Sequence, residues 1–303
     1  MSLSTGPLLA NGQDWLLGGG QKRIGHEVKL LPAQHVKAFV QGDKTDAKDA
    51  QAIYVASGQP HIHPVPVKSV QQQSLLMHHK QREGLLKERI ATSNRLRACL
   101  LEFGIALPEG AAKLLRALPA ALAQAGDNGT LSAADIQFMQ HCMRHIEYLN
   151  QEIAHIERTL EAICRQDCAM HTIRQIPGIG TLTATVLVAS VDIHRFASAR
   201  QFASSLGLAP RQMGTGGKTR QLGLSKRGNS HLRRLLMHGA RAVLTRCPHR
   251  CRWLMELTAR RPRNVAVGAM ANKLARTVWA VLMRGKPFEA SKWNPCEGTA
   301  ATA

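Results

Sequence analysis

The sequence predicts a mainly α-helical protein with a short strand near its start. Three observations carry this. From Ile136 to Ile163 apolar residues recur at intervals of three and four, the spacing that lines one helix face. From Val70 to Phe103 there is no proline and one glycine, so nothing interrupts a second long helix. Aromatic residues make up only 4% of the 303 positions although 44% are hydrophobic, which suits helix packing better than a β-sandwich core.

Taken in order, residues 1–23 hold Gly18-Gly19-Gly20 and a lone Trp15 without periodicity, and read as a loose lead-in. His26 to Leu31 alternates and is followed by Pro32, as a short strand would be. Ala33 to Val40 suits a short helix broken at Gly42. A further helix begins near Thr45, with Asp46 and Asp49 in its first turn, where negative charge complements the helix dipole. Pro60, Pro64 and Pro66 mark an extended linker before the Val70–Phe103 helix, and 108–129 is a shorter helical or loop connection. Ser132 and Asp135 form a capping pair, with Asp where Glu is usual.

After that cap, Ile136, Met139, Met143, Ile146, Leu149, Ile153, Ile156, Leu160 and Ile163 form a seam sustained over about four heptads. A coiled coil or an antiparallel helical hairpin follows. The partner is the Val70–Phe103 helix, the same segment of a second subunit, or both. Thr181 to Val191 and Ser198 to Leu206 read as buried helices. Ser230 to Thr245 is a helix capped by Asn229 or Ser230, apolar on Leu232, Leu235, Leu236, Ala240 and Val243 and basic on Arg233, Arg234 and Arg241. An alanine-rich helix from Val265 to Met283 closes the chain.

The net charge of +20 is unevenly placed. Residues 173–303 hold 22 Lys and Arg against 4 Asp and Glu, a net of +18, while residues 1–172 hold 18 against 16, a net of +2. Charge confined to one half is the footprint of a polyanion partner, with nucleic acid the first to consider; a basic solvated surface is the alternative. The seven cysteines include no Cys-x-x-Cys pair. Cys247 and Cys251 flank His249, but no second zinc half-site follows, so reduced structural thiols are expected. His141 and His145 lie four apart without a His-Glu-x-x-His motif and read as surface histidines. With no apolar run of about 18 residues and no basic n-region before an apolar stretch, neither a membrane span nor a signal peptide is expected, and a cytoplasmic protein follows.

Three constellations could carry chemistry. Ile176-Pro177-Gly178-Ile179-Gly180 leads into a small-residue helix and matches a helix-hairpin-helix turn, in which amides at Gly178 and Gly180 would hold a phosphate; an ordinary tight turn is the alternative. Val191-Asp192 resembles a glycosylase aspartate only superficially, which leaves a DNA repair protein as a weak reading. Asp46 and Asp49 lie three apart on one helix face and could converge on Mg²⁺; equally, they could serve the dipole alone. Arg211 to Arg220 places the Thr215 hydroxyl in a flexible glycine loop among cations, as a nucleophile or as a simple phosphate contact.

Together these segments resemble a known family: bacterial insertion-sequence transposases with a DEDD N-terminal domain, related to the Piv invertase and including bridge-RNA-guided recombinases. Gly25 to Gln34 and Lys44 to Ala50 resemble the end of the DEDD domain. Ile176 to Leu236, with Arg200-Gln201-Phe202-Ala203, Gly207-Leu208-Ala209-Pro210-Arg211 and Ser225-Lys226-Arg227-Gly228, resembles the C-terminal transposase domain, and Lys286-Pro287-Phe288 fits near its end. The resemblance implies a truncated ribonuclease-H-like, RuvC-like α/β remnant over residues 1–66, a coiled-coil region over 67–170 and a DNA-binding and catalytic domain over 171–303. It implies Mg²⁺ at Asp46 and Asp49, the last two of four family acids; the first Asp and the Glu have no counterpart, as though the chain began after most of that sheet. It implies that Thr215 stands where the family has a serine nucleophile, keeping the hydroxyl and adding a methyl. Arg211, Lys218, Arg220, Lys226, Arg227, Arg233 and Arg234 would grip phosphates. DNA transposition by strand cleavage and rejoining, by a dimer or tetramer with a guide RNA as a further partner, is the implied function, and a non-catalytic DNA-binding remnant is the alternative.

Overall fold

Helices account for nearly all regular structure in the computed structural model, which describes residues 8–9, 29–43, 45–62, 64–246, 251–290 and 293. The chain divides into two compact units, Met1–Gln73 and Ser74–Ala303. The lead-in apart from Leu8–Leu9, the His26–Val28 part of the expected strand, Lys44, and the Cys247 and His249 pair lie outside the described residues.

In the first unit β1 (Leu8–Leu9) pairs in parallel with β2 (Leu30–Leu31). Pro32 ends β2, and α1 (Ala33–Val36) with a 3-10 turn (Lys37–Phe39) makes the short helical stretch expected up to Val40. Thr45, extended, caps α2 (Asp46–Ser57): its hydroxyl accepts the Lys48 N–H at 3.4 Å. Leu31, Val36, Ala52, Ala56 and Ile62 close a small core. The proline linker turns back on the strand, the Val65 N–H donating to the Leu30 carbonyl at 2.6 Å.

In the second unit α3 (Val70–Glu102, whose first turn straddles the division) runs antiparallel to α5 (Ala133–Gln166). Arg82 pairs with Glu157, Glu88 with His145 at 2.9 Å, and Arg89 donates to Asn150 at 2.8 Å, so one sequence rises as the other falls. Ser132 and Asp135 form the reciprocal capping box. The apolar seam is used within the chain: Met139 and Ile146 pack with Leu96, Leu100 and α4 (Ala111–Asp127), while Leu160 and Cys164 enter the larger core of the unit. The helical hairpin is therefore the form the periodicity takes here. His145 is a hydrogen-bond partner of Glu88, as suits a surface histidine.

The remainder comprises α6 (Cys168–Arg174), α7 (Thr181–Ser190), a 3-10 turn (Ile193–Arg195), α8 (Ala199–Ser205), β3 (Pro210–Thr215), β4 (Lys218–Leu224), α9 (Ser230–Arg246), α10 (Arg252–Arg260) and α11 (Arg263–Arg284). Thr183 to Leu187 and Ala189 are all buried, so α7 is sunk in the core on every face, as a helix without a polar stripe must be. Buried Ala266, Gly268, Ala271 and Ala275 let α8 and α9 approach α11 closely. Asn229 caps α9, its carbonyl oxygen accepting the Leu232 N–H at 3.0 Å. Asp192 caps the 3-10 turn by accepting the His194 N–H at 3.1 Å, a structural use for that carboxylate. Among the described residues no helix is long and apolar enough to cross a membrane.

One expectation changes form. The glycine-rich basic stretch is an antiparallel β-hairpin rather than a flexible loop. Its turn, Gly216-Gly217, has φ of 58° and 78°, the left-handed pair that a two-residue hairpin turn needs and that glycine adopts at little cost.

Candidate nucleic-acid interface

The hairpin is exposed along all of β3 and most of β4. Thr215 lies opposite Lys218 and Met213 opposite Arg220, so these four side chains share one face. Gln212, Gly214, Thr219 and Gln221 take the other. Arg211 falls at the irregularity between Pro210 and Gln212. Among the described residues, Arg211, Lys218, Arg220, Lys226 and Arg227 have no ion pair and no side-chain hydrogen bond within the chain. Cations left unpaired beside a hydroxyl suit a phosphodiester.

The root of the hairpin explains two motifs that sequence spacing alone did not. Gly207-Leu208-Ala209 crosses Ser225-Lys226-Arg227-Gly228, with the Ser225 N–H on the Ala209 carbonyl at 2.9 Å and the Lys226 N–H on the Gly207 carbonyl at 3.2 Å. A Cβ on Gly207 would lie 2.2 Å from the Arg227 oxygen, and one on Gly228 would lie 1.9 Å from the Ser205 oxygen. Lys226 itself has φ 55°, left-handed for a residue with a side chain, a local strain that this crossing holds in place. Arg233 donates to the Arg227 carbonyl at 2.8 Å and the Leu206 carbonyl at 3.2 Å, so its guanidinium ties the root to α9. Arg234 is bound to Glu83 of α3.

The Ile176–Gly180 turn divides between two uses. Gly178, at φ 90°, packs on Gly239 of α9: a Cβ on Gly239 would lie 2.0 Å from the Gly178 oxygen. Gly180 is exposed and caps α7. At the same helix end the Thr181 hydroxyl donates to Glu161, which also holds Arg174 at 2.8 Å. Thr181, and then Arg174, keep the Glu161 carboxyl below the usual carboxylate range. The acids of the first unit lie in the first turn of α2, Asp46 exposed and Asp49 half-buried. Among the described residues no group of three or more His, Cys, Asp and Glu is placed to hold a metal ion.

A model of the family described as "Transposase IS116/IS110/IS902 family" matches residues 170–255, spanning the turn, the hairpin and α9. A second, of DEDD transposases of the IS110 type, matches residues 10–105. The chain is 41% identical over 269 residues to a Pseudomonas aeruginosa protein named "Probable family 20 transposase", covering 87% of this chain and 79% of that one. It is 37% identical over 271 residues to the transposase of insertion sequence element IS1328 from Yersinia enterocolitica, covering 88% and 80% of the two. Against the transposase of IS1111A from Coxiella burnetii the identity is 38% over 272 residues, covering 88% and 74%. The chain belongs to the IS116/IS110/IS902 transposase family.

In this transposase α3, α7 and α9 are joined by a polar cluster that sequence spacing gave no sign of. The Thr185 hydroxyl donates to the Thr181 carbonyl at 2.8 Å, leaving its oxygen to accept from His79 Nε2 at 2.9 Å. The His231 ring stands edge-on to His79 at 5.9 Å, and its Nδ1 meets Arg234 at 2.9 Å. Burial, then the neighbouring His231, pushes the His79 pKa down to about 4, and burial likewise lowers that of His231. A histidine depressed in the folded state contributes its full stability above the unfolded pKa of 6.5 and loses it as pH falls toward 4. Between pH 7 and pH 5 the loss from His79 should be about 2 kcal/mol. Glu83, held low by Arg234, and Glu161, held low by Thr181, lose their contributions only as pH falls below the ordinary carboxyl pKa of about 4.5, beneath that window. Denaturant midpoints at the two pH values check this, and His79→Gln should remove most of the difference.

Proposed function

We propose that the transposase grips duplex DNA through the β3–β4 hairpin and its root and cleaves and rejoins strands through Thr215. The observation that carries this reading is the shared hairpin face: a hydroxyl flanked by Lys218 and Arg220, both without partners among the described residues. In that reading the Thr215 oxygen attacks phosphorus, the phosphodiester bond to the leaving sugar oxygen breaks as the new ester forms, and the hydroxyl proton passes to solvent or a base. Attack by a second strand end on the ester reverses the step and rejoins DNA without an external energy source. Lys218 and Arg220 hold the non-bridging oxygens; Arg211, Lys226 and Arg227 extend the contact along the backbone, and Gly180 offers an amide at the α7 end. Arg233 ties the hairpin root to α9, Gly178 packs on the same helix, and Arg234 is bound to Glu83 of α3.

Asp46 and Asp49, on one side of the first turn of α2, form a carboxylate pair of the kind that holds Mg²⁺ with water and phosphate completing the shell. When bound, the ion would supply Lewis-acid stabilisation of negative charge on a phosphate oxygen that it contacts. The family resemblance further supports action as an oligomer, in the bacterial cytoplasm, with a guide RNA. A non-catalytic DNA-binding remnant is the second reading, favoured by threonine where the family has serine. The binding half of the proposal is tested by the triple variant Arg211→Ala, Lys218→Ala, Arg220→Ala. Duplex affinity near physiological salt should fall roughly tenfold or more, and the slope of log affinity against log salt should flatten by about three. An unchanged slope would remove the hairpin from the interface.

A further inference from the structure

The second unit contains a cavity of about 1480 Å³ that the hairpin reading does not use. One wall is the hairpin root, with Pro210, Leu222 and Leu224; the floor is α11; Lys286 to Phe288 form the far rim. Gly268 of α11 makes the junction close, since a Cβ there would lie 3.3 Å from Leu224. The lining is mostly apolar and includes Trp253, Trp279, Phe288 and Trp293. Those are three of the four tryptophans and one of the six phenylalanines in a chain that is only 4% aromatic.

The aromatics are held in place. The Trp279 N–H donates to the Phe196 carbonyl at 3.2 Å, and the Trp293 N–H to the Thr277 hydroxyl at 3.3 Å. Lys273 Nζ lies 4.9 Å from the Trp253 ring centre and 5.5 Å from that of Trp293. Around the mouth stand Arg276, Arg284 and Lys286, exposed and without an ion pair among the described residues. Fixed aromatic faces beside free cations are what single-stranded nucleic acid requires: bases stack on rings and phosphates meet the charge. Size agrees, because a single drug-sized ligand occupies roughly 300–1,000 Å³ and this cavity is larger.

We infer that this groove holds an unpaired stretch of nucleic acid, with its bases against the Trp253–Trp279–Phe288 surface and its phosphates on Arg276, Arg284 and Lys286. It rests on the proposed DNA-binding reading only in placing that strand beside the hairpin. Unpaired DNA and RNA offer the same stacking chemistry, so both belong in the test.

The full chain is titrated with single strands of about 12 nucleotides carrying a central 2-aminopurine, as DNA and as RNA, and with the matching duplex. Stacking in the groove should quench the 2-aminopurine of at least one single strand, and the strand bound more tightly identifies the source. The variant Arg276→Ala, Arg284→Ala, Lys286→Ala should weaken that strand roughly tenfold and flatten its salt slope by about two, with duplex affinity changed less than about twofold. Trp253→Leu should reduce the quenching while the unfolding midpoint shows the chain still folded. Absence of quenching by either strand, or equal loss for single strand and duplex, would overturn the inference. The hairpin triple variant reads the other proposal separately, because it should lower duplex binding and leave the quenching in place.

Discussion

Replacing Gly239 with alanine should destabilise the transposase by roughly 3 kcal/mol or more, although helix propensity alone predicts the opposite sign. Gly239 lies inside α9, where alanine would normally gain about 1 kcal/mol. Its added Cβ would stand 2.0 Å from the Gly178 oxygen and 3.0 Å from the Gly178 carbonyl carbon. Both obstacles are backbone, so no side chain can swing aside. The turn cannot yield easily either, since Gly178 is at φ 90° with the Gly239 oxygen and Val243 Cγ2 each 2.8 Å from where its own Cβ would be. Relief would have to come from parting α9 from the α6–α7 turn, which opens the core around fully buried Ile176, Leu236 and Ala240. For a unit of this size the melting temperature should drop by roughly 10 °C. Thermal unfolding of the single variant checks it, and a raised midpoint would mean that the crossing is looser than the distances say.

That crossing also shows where sequence reasoning stops. Several helices were legible because each carries its own signal: Thr45, Ser132 with Asp135, and Asn229 cap helices where their side chains can reach the first free amides, and the Ile136–Ile163 seam keeps a constant spacing. The hairpin was not legible as strands. Both of its faces are exposed, so Arg211-Gln212-Met213-Gly214-Thr215 shows no apolar alternation, and only Gly216-Gly217 marks a two-residue turn. Gly178 gave no sign of its packing role because its partner, Gly239, is far along the chain. The same distance hid the His79 and Thr185 contact, which spans 106 residues, and the groove, whose walls come from the hairpin root, α10, α11 and the chain beyond it. Local capping chemistry can be read from a sequence; pairings made only by tertiary packing leave a glycine, a histidine or a tryptophan without a visible reason.

The largest effect on chemistry should come from Thr215→Val. Valine keeps the branched shape and removes only the hydroxyl, and at an exposed strand end beside the turn it leaves no buried group unsatisfied. On the proposed mechanism the covalent protein–DNA adduct and strand transfer should both fall by roughly 10³ or more, while duplex binding stays within about twofold, because the cations are untouched. Thr215→Ser should retain activity or raise it, since it keeps the nucleophile and removes the methyl that restricts its rotamer and crowds attack. The pair separates the two readings of the chain: a remnant that only binds DNA gives no adduct with threonine, serine or valine. Mapping the adducted peptide settles the atom. Thr219 projects from the opposite face of the hairpin, and Ser225 lies in the root, its N–H bonded to Ala209, so neither shares the Lys218–Arg220 face. An adduct that persists in Thr215→Val would shift the nucleophile away from that face and remove the reason for placing the scissile phosphate there.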